Sequence, residues 1–247
     1  MTTTDYKEVW VEGPHYRIIP TRFPPINFFE RFTPPELMEA AFELESLTNE
    51  RLRNEVGHLS QVRPEDRVSG PGASVVMAAF THTGHASRFT NGDYGVYYAA
   101  RNLETAIRET VYHRERFLHA TEEPACDIDV RVFKGTVKKP LIDLCSERFQ
   151  YLFDPDPAHY SVPQKFGADM RAQDRWGLLY PSVRKPGADC IAVFRPTAIS
   201  LPVQSKLLAY HWNGRRIATV YEKTQILVDL SMIDADISSE KNTVIER

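Results

Sequence analysis

The sequence predicts an α+β domain built on packed β-sheets. From about residue 126 onward, short apolar segments of strand length follow one another, and Ile128–Val132 alternates apolar and polar residues. Two longer segments have helical spacing instead. Because the predicted helices and strands do not alternate regularly along the chain, a parallel sheet of βαβ units is not expected.

The first 72 residues are predicted to form an N-terminal extension. His15–Ile19 is a short strand candidate. Thr33 and Glu36 form a capping box at the start of a helix over about residues 34–54. Apolar residues recur along that helix at helical spacing, namely Leu37, Ala40, Ala41, Leu44, Leu47 and Leu52. Glycines and prolines in residues 56–72 indicate a loop that joins the extension to the main domain.

The main domain is predicted over residues 73–230. Ala73–Phe80 is a continuous apolar run of strand length, and Tyr94–Ala100 is an aromatic strand that follows an Asn91-Gly92 turn. Asn102 can cap a helix that continues to about Phe117.

Further strand candidates follow this helix, up to a polar tail at residues 231–247. They are Val137–Leu144, Cys190–Arg195, Ile199–Val203, Leu207–Trp212 and Arg215–Tyr221. Asn213-Gly214 is typical of a hairpin turn, so the last two strands are expected to pair. The tail is expected to be frayed.

The charge of the chain argues against direct binding of nucleic acid. Its 247 residues carry a formal net charge of −3, whereas proteins that bind nucleic acid usually have a basic excess. Four basic residues, Arg171, Arg175, Arg184 and Lys185, are interpreted as a solvated face. The three cysteines are far apart and contain no Cys-x-x-Cys pair, which argues against a zinc site and suits a reducing cytosol.

The sequence contains no export or membrane signal and none of the common enzyme motifs. Residues 1–10 lack an apolar core, and no apolar run approaches the roughly 18 residues needed to span a membrane, so a cytoplasmic location without membrane contact is expected. Glycine-rich dinucleotide fingerprints, phosphate loops, His-Glu-x-x-His and Gly-x-Ser-x-Gly are all absent. These absences remove the standard dehydrogenase, P-loop, zinc-protease and α/β-hydrolase interpretations.

Two segments concentrate residues that can do chemistry. Ser87–Ala100 runs from a loop through a turn into a strand, and Leu103–Glu109 continues it into the helix. Gly177–Arg184 contains the sequence Tyr-Pro-Ser-x-Arg, which is followed by a strand. Arg88 stands just before the turn, where its guanidinium can offer a planar fork to a phosphate.

Each side chain in these segments also has an ordinary structural interpretation. Tyr97 and Tyr98 face opposite sides of their strand, so one is expected in the core and the other in a cleft. Glu109 can lean toward the edge of the sheet, or it can face solvent like most charged helix residues. Arg88 can be a surface ion-pair partner, Tyr98 a core residue and Ser182 a turn residue after a proline.

Taken together, the two segments resemble the RES domain. The resemblance rests on Arg-Phe at residues 88–89, a glycine, a Tyr-Ala strand end, Glu-Thr-Ala-x-x-Glu ending at Glu109, and Tyr-Pro-Ser-x-Arg. It covers roughly residues 75–205 and extends more weakly to Tyr16-Arg17-Ile18 and to the C-terminal hairpin. That domain takes its name from an arginine, a glutamate and a serine, which would be Arg88, Glu109 and Ser182 here.

The resemblance implies a fold, an activity and a partner. RES proteins are similar in fold to ADP-ribosyltransferases of the diphtheria-toxin type, and they act as toxins that consume NAD, with an Xre-type antitoxin encoded beside them. Nucleic acid would then be contacted only through the antitoxin. This chain is longer at its N-terminus than short members of the family, and the extra surface can serve a protein substrate, the antitoxin or a homodimer.

The resemblance also implies roles for individual residues, with NAD as substrate and no metal. Glu109 would oppose the positive charge of the ribose, Tyr98 would stack on nicotinamide, and Arg88 would clamp the pyrophosphate. Ser182 would bond the nicotinamide ribose or a phosphate, and Arg17 would make a second phosphate contact. The acceptor stays open. Water or inorganic phosphate would make the protein an enzyme that depletes NAD, and a protein side chain would make it a mono-ADP-ribosyltransferase. A catalytically dead binding module is a third alternative.

Overall fold

A computed structural model describes residues 6–21, 56–224 and 226. The strands within these residues form one mixed sheet: β1 Glu8–Val9, β2 Pro14–Pro20, β3 Tyr97–Ala100, β4 Cys126–Thr136, β5 Leu141–Asp143, β6 Gly177–Pro181, β7 Asp189–Val193, β8 Val203–Trp212 and β9 Ile217–Lys223. The helices are α1 Ala73–Thr81, α2 Leu103–Ala120 and α3 Ser161–Ala172, with several short 3₁₀ turns between elements. The α+β class predicted from the sequence is confirmed.

The sheet consists of two halves that meet at a narrow seam. Its strand order is β1-β5-β6-β7-β3-β2-β4-β8-β9, and neighbours are antiparallel except for β5 and β6. β2 pairs with β4 along its whole length, from Pro14 to Pro20. Among the described residues, β2 pairs with β3 only at Tyr16 and Ala100. The seam between β2 and β3 is therefore the weakest line of backbone pairing near the middle of the sheet.

Apolar side chains cover both faces of the sheet. Along β7, Cys190 and Ala192 pack into one core with α2 and α3, while Ile191 and Val193 pack into a second core with α1. Tyr97 is fully buried in the second core, and Tyr98 packs against the first core. Tyr97 and Tyr98 thus lie on opposite faces of β3, as the alternation of a strand predicts.

The local signals around α2 and β9 gave correct predictions. Asn102 is the N-cap of α2, and its side chain accepts a 2.9 Å hydrogen bond from the backbone N–H of Thr105. The helix continues to Ala120, one turn beyond the predicted end. β8 and β9 pair antiparallel on either side of Asn213-Gly214, which confirms the hairpin.

The predicted strand at Ala73–Phe80 is wrong, because this segment is helix α1. Its alanines and methionine favour a helix, and most of its side chains are buried, so it carries no polar face to reveal a helical period. Gly72 begins the helix with φ +89°, and a side chain at this position would collide with the Pro202 carbonyl oxygen.

Other boundaries also differ from the predictions. The segment predicted as a strand at Ile199–Val203 is not one, since a 3₁₀ turn at Pro196–Ala198 precedes it and β8 begins only at Val203. β5 is restricted to the end of Val137–Leu144, after a proline that cannot donate a ladder hydrogen bond. Helix α3 was not predicted.

Part of the predicted N-terminal extension, residues 1–72, contributes to the sheet of the main domain. β2 lies between β3 and β4 in the sheet, so the strand predicted at His15–Ile19 is confirmed and is central. The helix predicted over residues 34–54 and the tail at 231–247 lie outside the described residues.

Candidate active site

A cleft of about 430 Å³ opens at the seam of the sheet. β2 and β3 form its floor, one face of α2 forms a wall, and the loops before β3, after β6 and before α3 form the rim. Four of the residues singled out from the sequence, Arg17, Arg88, Tyr98 and Glu109, line this cleft. The fifth, Ser182, is buried behind Glu109 and bonded to it. The fold thus brings together residues that are far apart in the sequence.

Ser182 holds one oxygen of the Glu109 carboxylate. Its Oγ–H donates a 2.6 Å hydrogen bond to Glu109 Oε1. The same Oγ accepts from the backbone N–H groups of Arg184 and Lys185, at 3.2 and 3.1 Å. Because a hydroxyl has only one proton to donate, these two bonds direct that proton to the carboxylate. The arrangement fixes the direction of the Ser182 hydroxyl.

The second oxygen of Glu109 is available to a ligand. The Cys190 thiol lies 3.9 Å from Oε1, so both protein donors approach the same oxygen. Within the described residues, no hydrogen-bond donor is placed on Oε2. Glu109 itself lines the cleft. The site therefore presents one anchored carboxylate with one free oxygen.

Tyr98 forms part of the cleft wall with its hydroxyl already bonded. The hydroxyl exchanges a 2.8 Å hydrogen bond with Ser87 Oγ and accepts a 3.0 Å bond from the backbone N–H of Phe89. Burial raises the pKa of Tyr98 to about 12, so the phenol stays protonated at neutral pH. Tyr98 can thus offer its ring to a ligand, while its hydroxyl fixes the loop before β3.

The guanidinium of Arg88 is largely used inside the protein. Nη1 donates to the backbone carbonyls of Leu152 and Asp154 at 3.0 and 2.9 Å, and Nη2 donates to the Tyr160 hydroxyl at 3.0 Å. The guanidinium also lies 4.4 Å from the centre of the Tyr160 ring. These bonds occupy three of the five N–H groups of an arginine, which leaves Nε–H and one Nη2–H. Arg88 therefore braces the loop over residues 152–160 against the cleft.

Arg17 bridges the seam between β2 and β3. Its Nη1 donates a 3.0 Å hydrogen bond to the Tyr98 carbonyl, and its guanidinium lies 4.6 Å from the centre of the Tyr97 ring. The Nε atom is buried and meets no acceptor in the part of the chain that the structure describes. Burial lowers the pKa of Arg17 from its ordinary value. Arg17 thus places a guanidinium group in the lining of the cleft.

The sequence interpretation gave no role to a histidine and two arginines at the mouth of the cleft. His113 and Arg116 follow Glu109 by one and two turns on the same face of α2, and Arg184 approaches them from the loop after β6. Desolvation lowers the pKa of His113, and the charge of Arg184 lowers it further. Two features of the sequence could have predicted these residues. His113 and Arg116 lie at helical spacing from Glu109, and Arg184 is the last residue of Tyr-Pro-Ser-x-Arg. The sequence pattern instead predicts a solvated face for Arg184.

The charge in the cleft is opposite to that of the whole protein. Among the described lining residues, four arginines face the single carboxylate of Glu109, although the chain carries a net charge of −3. The cations are Arg17, Arg88, Arg116 and Arg184. Such a lining favours a ligand that carries an anionic group and has its positive group near Glu109.

The described residues contain no group of three or more His, Cys, Asp or Glu side chains placed to hold a metal ion. None of their helices combines the length and the apolar composition that a membrane crossing requires.

Comparison with known proteins places the chain in a family. The model of the RES domain matches residues 64–213. The uncharacterized protein y4oC of Sinorhizobium fredii is 31% identical over 223 residues, which cover 87% of this chain and 89% of that protein. The crystal structure of the M. tuberculosis MbcT–MbcA toxin–antitoxin complex aligns at a TM-score of 0.33 and 14% identity, over 48% of this chain and 71% of that chain. With more than half of its length matched by the family model and a relative above 30% identity along most of both chains, this protein belongs to the RES domain family, as its two motif segments predicted.

Proposed function

We propose that this protein cleaves the nicotinamide–ribose bond of NAD as the toxin of a type II toxin–antitoxin pair. One observation carries the proposal. The cleft combines a single anchored carboxylate with four arginines, and its other described lining residues carry no fixed charge. NAD has the complementary charge pattern, since its nicotinamide end is positive and its pyrophosphate is negative. Membership of the RES family supports the toxin role and an Xre-type antitoxin as the partner.

The chemistry requires little from the protein beyond position and charge. Nicotinamide is a cationic leaving group, and it departs as a neutral molecule with the electron pair of the C–N bond, so no general acid is needed. The ribose then develops positive charge, which a carboxylate can oppose. Glu109 Oε2 would accept a hydrogen bond from the 2′-hydroxyl on the side of the ribose where this charge develops.

Water is one acceptor that completes the reaction. Its oxygen forms the new bond to the ribose carbon, its proton is released to solvent, and the products are ADP-ribose, nicotinamide and H⁺. Inorganic phosphate or a protein side chain would complete the same step by forming its own bond to that carbon.

The other residues of the cleft have supporting roles. The ring of Tyr98 would hold nicotinamide by stacking, a contact worth on the order of 1 kcal/mol. The guanidinium groups of Arg17 and Arg88, which line the cleft, would provide positive charge for the phosphates. The bond from Ser182 to Glu109 supports a role in orienting the carboxylate, in place of the direct ribose contact predicted from the sequence.

The first test is whether the purified full chain consumes NAD. Chromatography with mass identification of the products should show free nicotinamide together with ADP-ribose, or with an ADP-ribose adduct of phosphate when phosphate is supplied. Label from NAD that appears on a protein band in lysate would instead indicate a mono-ADP-ribosyltransferase. Absence of nicotinamide release under all three conditions would contradict the proposal.

A matched pair of variants connects the activity to the site. Glu109→Gln keeps the shape of the side chain but removes its charge, and should reduce NAD turnover by about two to three orders of magnitude. Glu104→Gln is the control, because it makes the same change on the same helix and disturbs only exposed ion pairs with Arg108 and Lys185. Expression in a bacterium without the antitoxin should arrest growth and lower NAD for Glu104→Gln but not for Glu109→Gln.

A further inference from the structure

A row of polar and charged groups runs along one face of α2, from the carboxylate to the mouth of the cleft. Glu109 is followed by His113 and Arg116, at about 6 and 10 Å along the helix axis for a rise of 1.5 Å per residue. All three residues line the cleft, so the charge changes from negative to positive along a single wall. In NAD, the ribose and its CH₂–O link separate the nicotinamide from the pyrophosphate. The charge of NAD changes from positive to negative along this path, which is complementary to the charge along the wall.

Arg184 completes the positive end and is held in place before any ligand binds. Its guanidinium carbon lies 3.4 Å from the centre of the Tyr112 ring, and Nη2 donates a 2.8 Å hydrogen bond to the Pro155 carbonyl. Arg116 lies 5.8 Å from the centre of the same ring. Because the stacking limits the freedom of the Arg184 side chain, less entropy is lost when it binds an anion.

These cations have no counter-ion of their own in the described chain. Arg63, Arg175 and Arg195 each form an ion pair with a carboxylate, at 2.8 to 2.9 Å. Arg116 and Arg184 form none with the described residues. In addition, Arg184 Nε is buried and lacks an acceptor within those residues. A phosphate in the cleft would supply the counter-ion that the two guanidinium groups lack.

From this placement we infer that His113, Arg116 and Arg184 form the subsite for the pyrophosphate of the dinucleotide. The inference rests on the proposed function for the identity of the ligand. In this assignment Arg88 is not the main phosphate contact, because its guanidinium N–H groups already bond Leu152, Asp154 and Tyr160. The same subsite would favour dinucleotides over nicotinamide riboside, which has the reacting bond but no phosphate.

The test measures binding of ADP-ribose to the full chain by calorimetry, with adenosine as the probe that lacks phosphate. Arg116→Gln and Arg184→Gln should each weaken ADP-ribose about ten- to a hundredfold and should leave adenosine unchanged. Each variant should also lessen the salt dependence of ADP-ribose binding. In turnover of NAD, the KM should rise by a similar factor while kcat is largely kept. Arg215→Gln, which removes one positive charge from the exposed β8–β9 turn, is the control and should behave as wild type.

Several outcomes would overturn the subsite, and they can be separated from failure of the proposed function. Wild-type protein that does not bind ADP-ribose, or variants that bind it with unchanged affinity, would refute the subsite. So would an equal loss for adenosine and ADP-ribose. If NAD is cleaved but both variants keep the wild-type KM, only the subsite fails. If ADP-ribose binds and the variants weaken it while NAD is never cleaved, the subsite stands and the cleavage proposal fails. Because Arg116 is exposed, its variant should fold even if Arg184→Gln does not.

Discussion

Replacing Ser182 by alanine would remove the hydroxyl that anchors the Glu109 carboxylate. The bond is 2.6 Å long and has a charged acceptor, and hydrogen bonds of this kind contribute about 1.5–3 kcal/mol. After the change, Oε1 would keep only the 3.9 Å contact with the Cys190 thiol. A loss of about 1.4 kcal/mol of transition-state stabilisation lowers a rate tenfold, so kcat should fall between about tenfold and a hundredfold.

The kinetic pattern distinguishes an orienting role from a direct contact with the substrate. If Ser182 acts through Glu109, steady-state assays should show a lower kcat with little change in KM, and Ser182→Thr should recover part of the activity because it keeps a hydroxyl. Ser205→Ala is the matched control, since within the described residues the hydroxyl of Ser205 bonds only the Val132 carbonyl on β4. A Ser182→Ala enzyme with wild-type kcat and a raised KM would refute the reasoning and favour the ribose contact instead.

Two further predictions concern buried residues beside the cleft. Arg88→Ala should lower the free energy of unfolding by about 2–4 kcal/mol and raise the KM for NAD, because it leaves the Leu152 and Asp154 carbonyls without their donor. Arg88→Lys should recover only part of either loss, because an ammonium group cannot reproduce the planar guanidinium. Full recovery of stability in denaturant titrations would show that the guanidinium geometry is not needed. His15 is fully buried, and burial together with the charge of Arg17 lowers its pKa to about 4, from 6.5. Since the unfolded chain then binds a proton that the native state excludes, stability should be constant above about pH 6.5 and fall by up to about 3 kcal/mol toward pH 4. His15→Gln should flatten that slope, and an unchanged slope would show that other groups cause it.

The sequence predicted those elements whose signals are local. The N-cap of α2 depends on Asn102 and the residues next to it, and the β8–β9 hairpin depends on Asn213-Gly214, so both are fixed within a few residues. The sequence pattern of helix α1 predicts a strand because most of its side chains are buried, so no polar face reveals the helical period. A short apolar run fits either a strand or a helix, so in α1 the choice between them depends on tertiary packing and not on the local sequence.

The site was predicted as a set of residues, but its internal contacts were not. Glu109 and Ser182 are 73 positions apart, and their hydrogen bond exists only because the loop after β6 ends beside α2. The motif placed Arg88 in the site. It could not reveal that the guanidinium of Arg88 bonds the carbonyls of Leu152 and Asp154, which are more than 60 positions away in the sequence. Arg184 was grouped with Lys185 as surface charge, yet in the fold Lys185 pairs with the exposed Glu104 and Arg184 turns to the cleft.

The position of the cleft follows from the way the sheet is joined. Where β2 and β3 separate beyond Tyr16 and Ala100, the Tyr98 carbonyl accepts its bond from the Arg17 side chain. The hydrogen bond from Arg17 Nη1 thus connects β2 to β3 where their backbones do not pair. The buried Nε of Arg17 has no acceptor among the described residues. A substitution of Arg17 would thus reduce the stability of the sheet and the affinity for a ligand together. Arg116 and Ser182 are better probes of function, because Arg116 makes no described contact across the seam and Ser182 acts on one carboxylate oxygen.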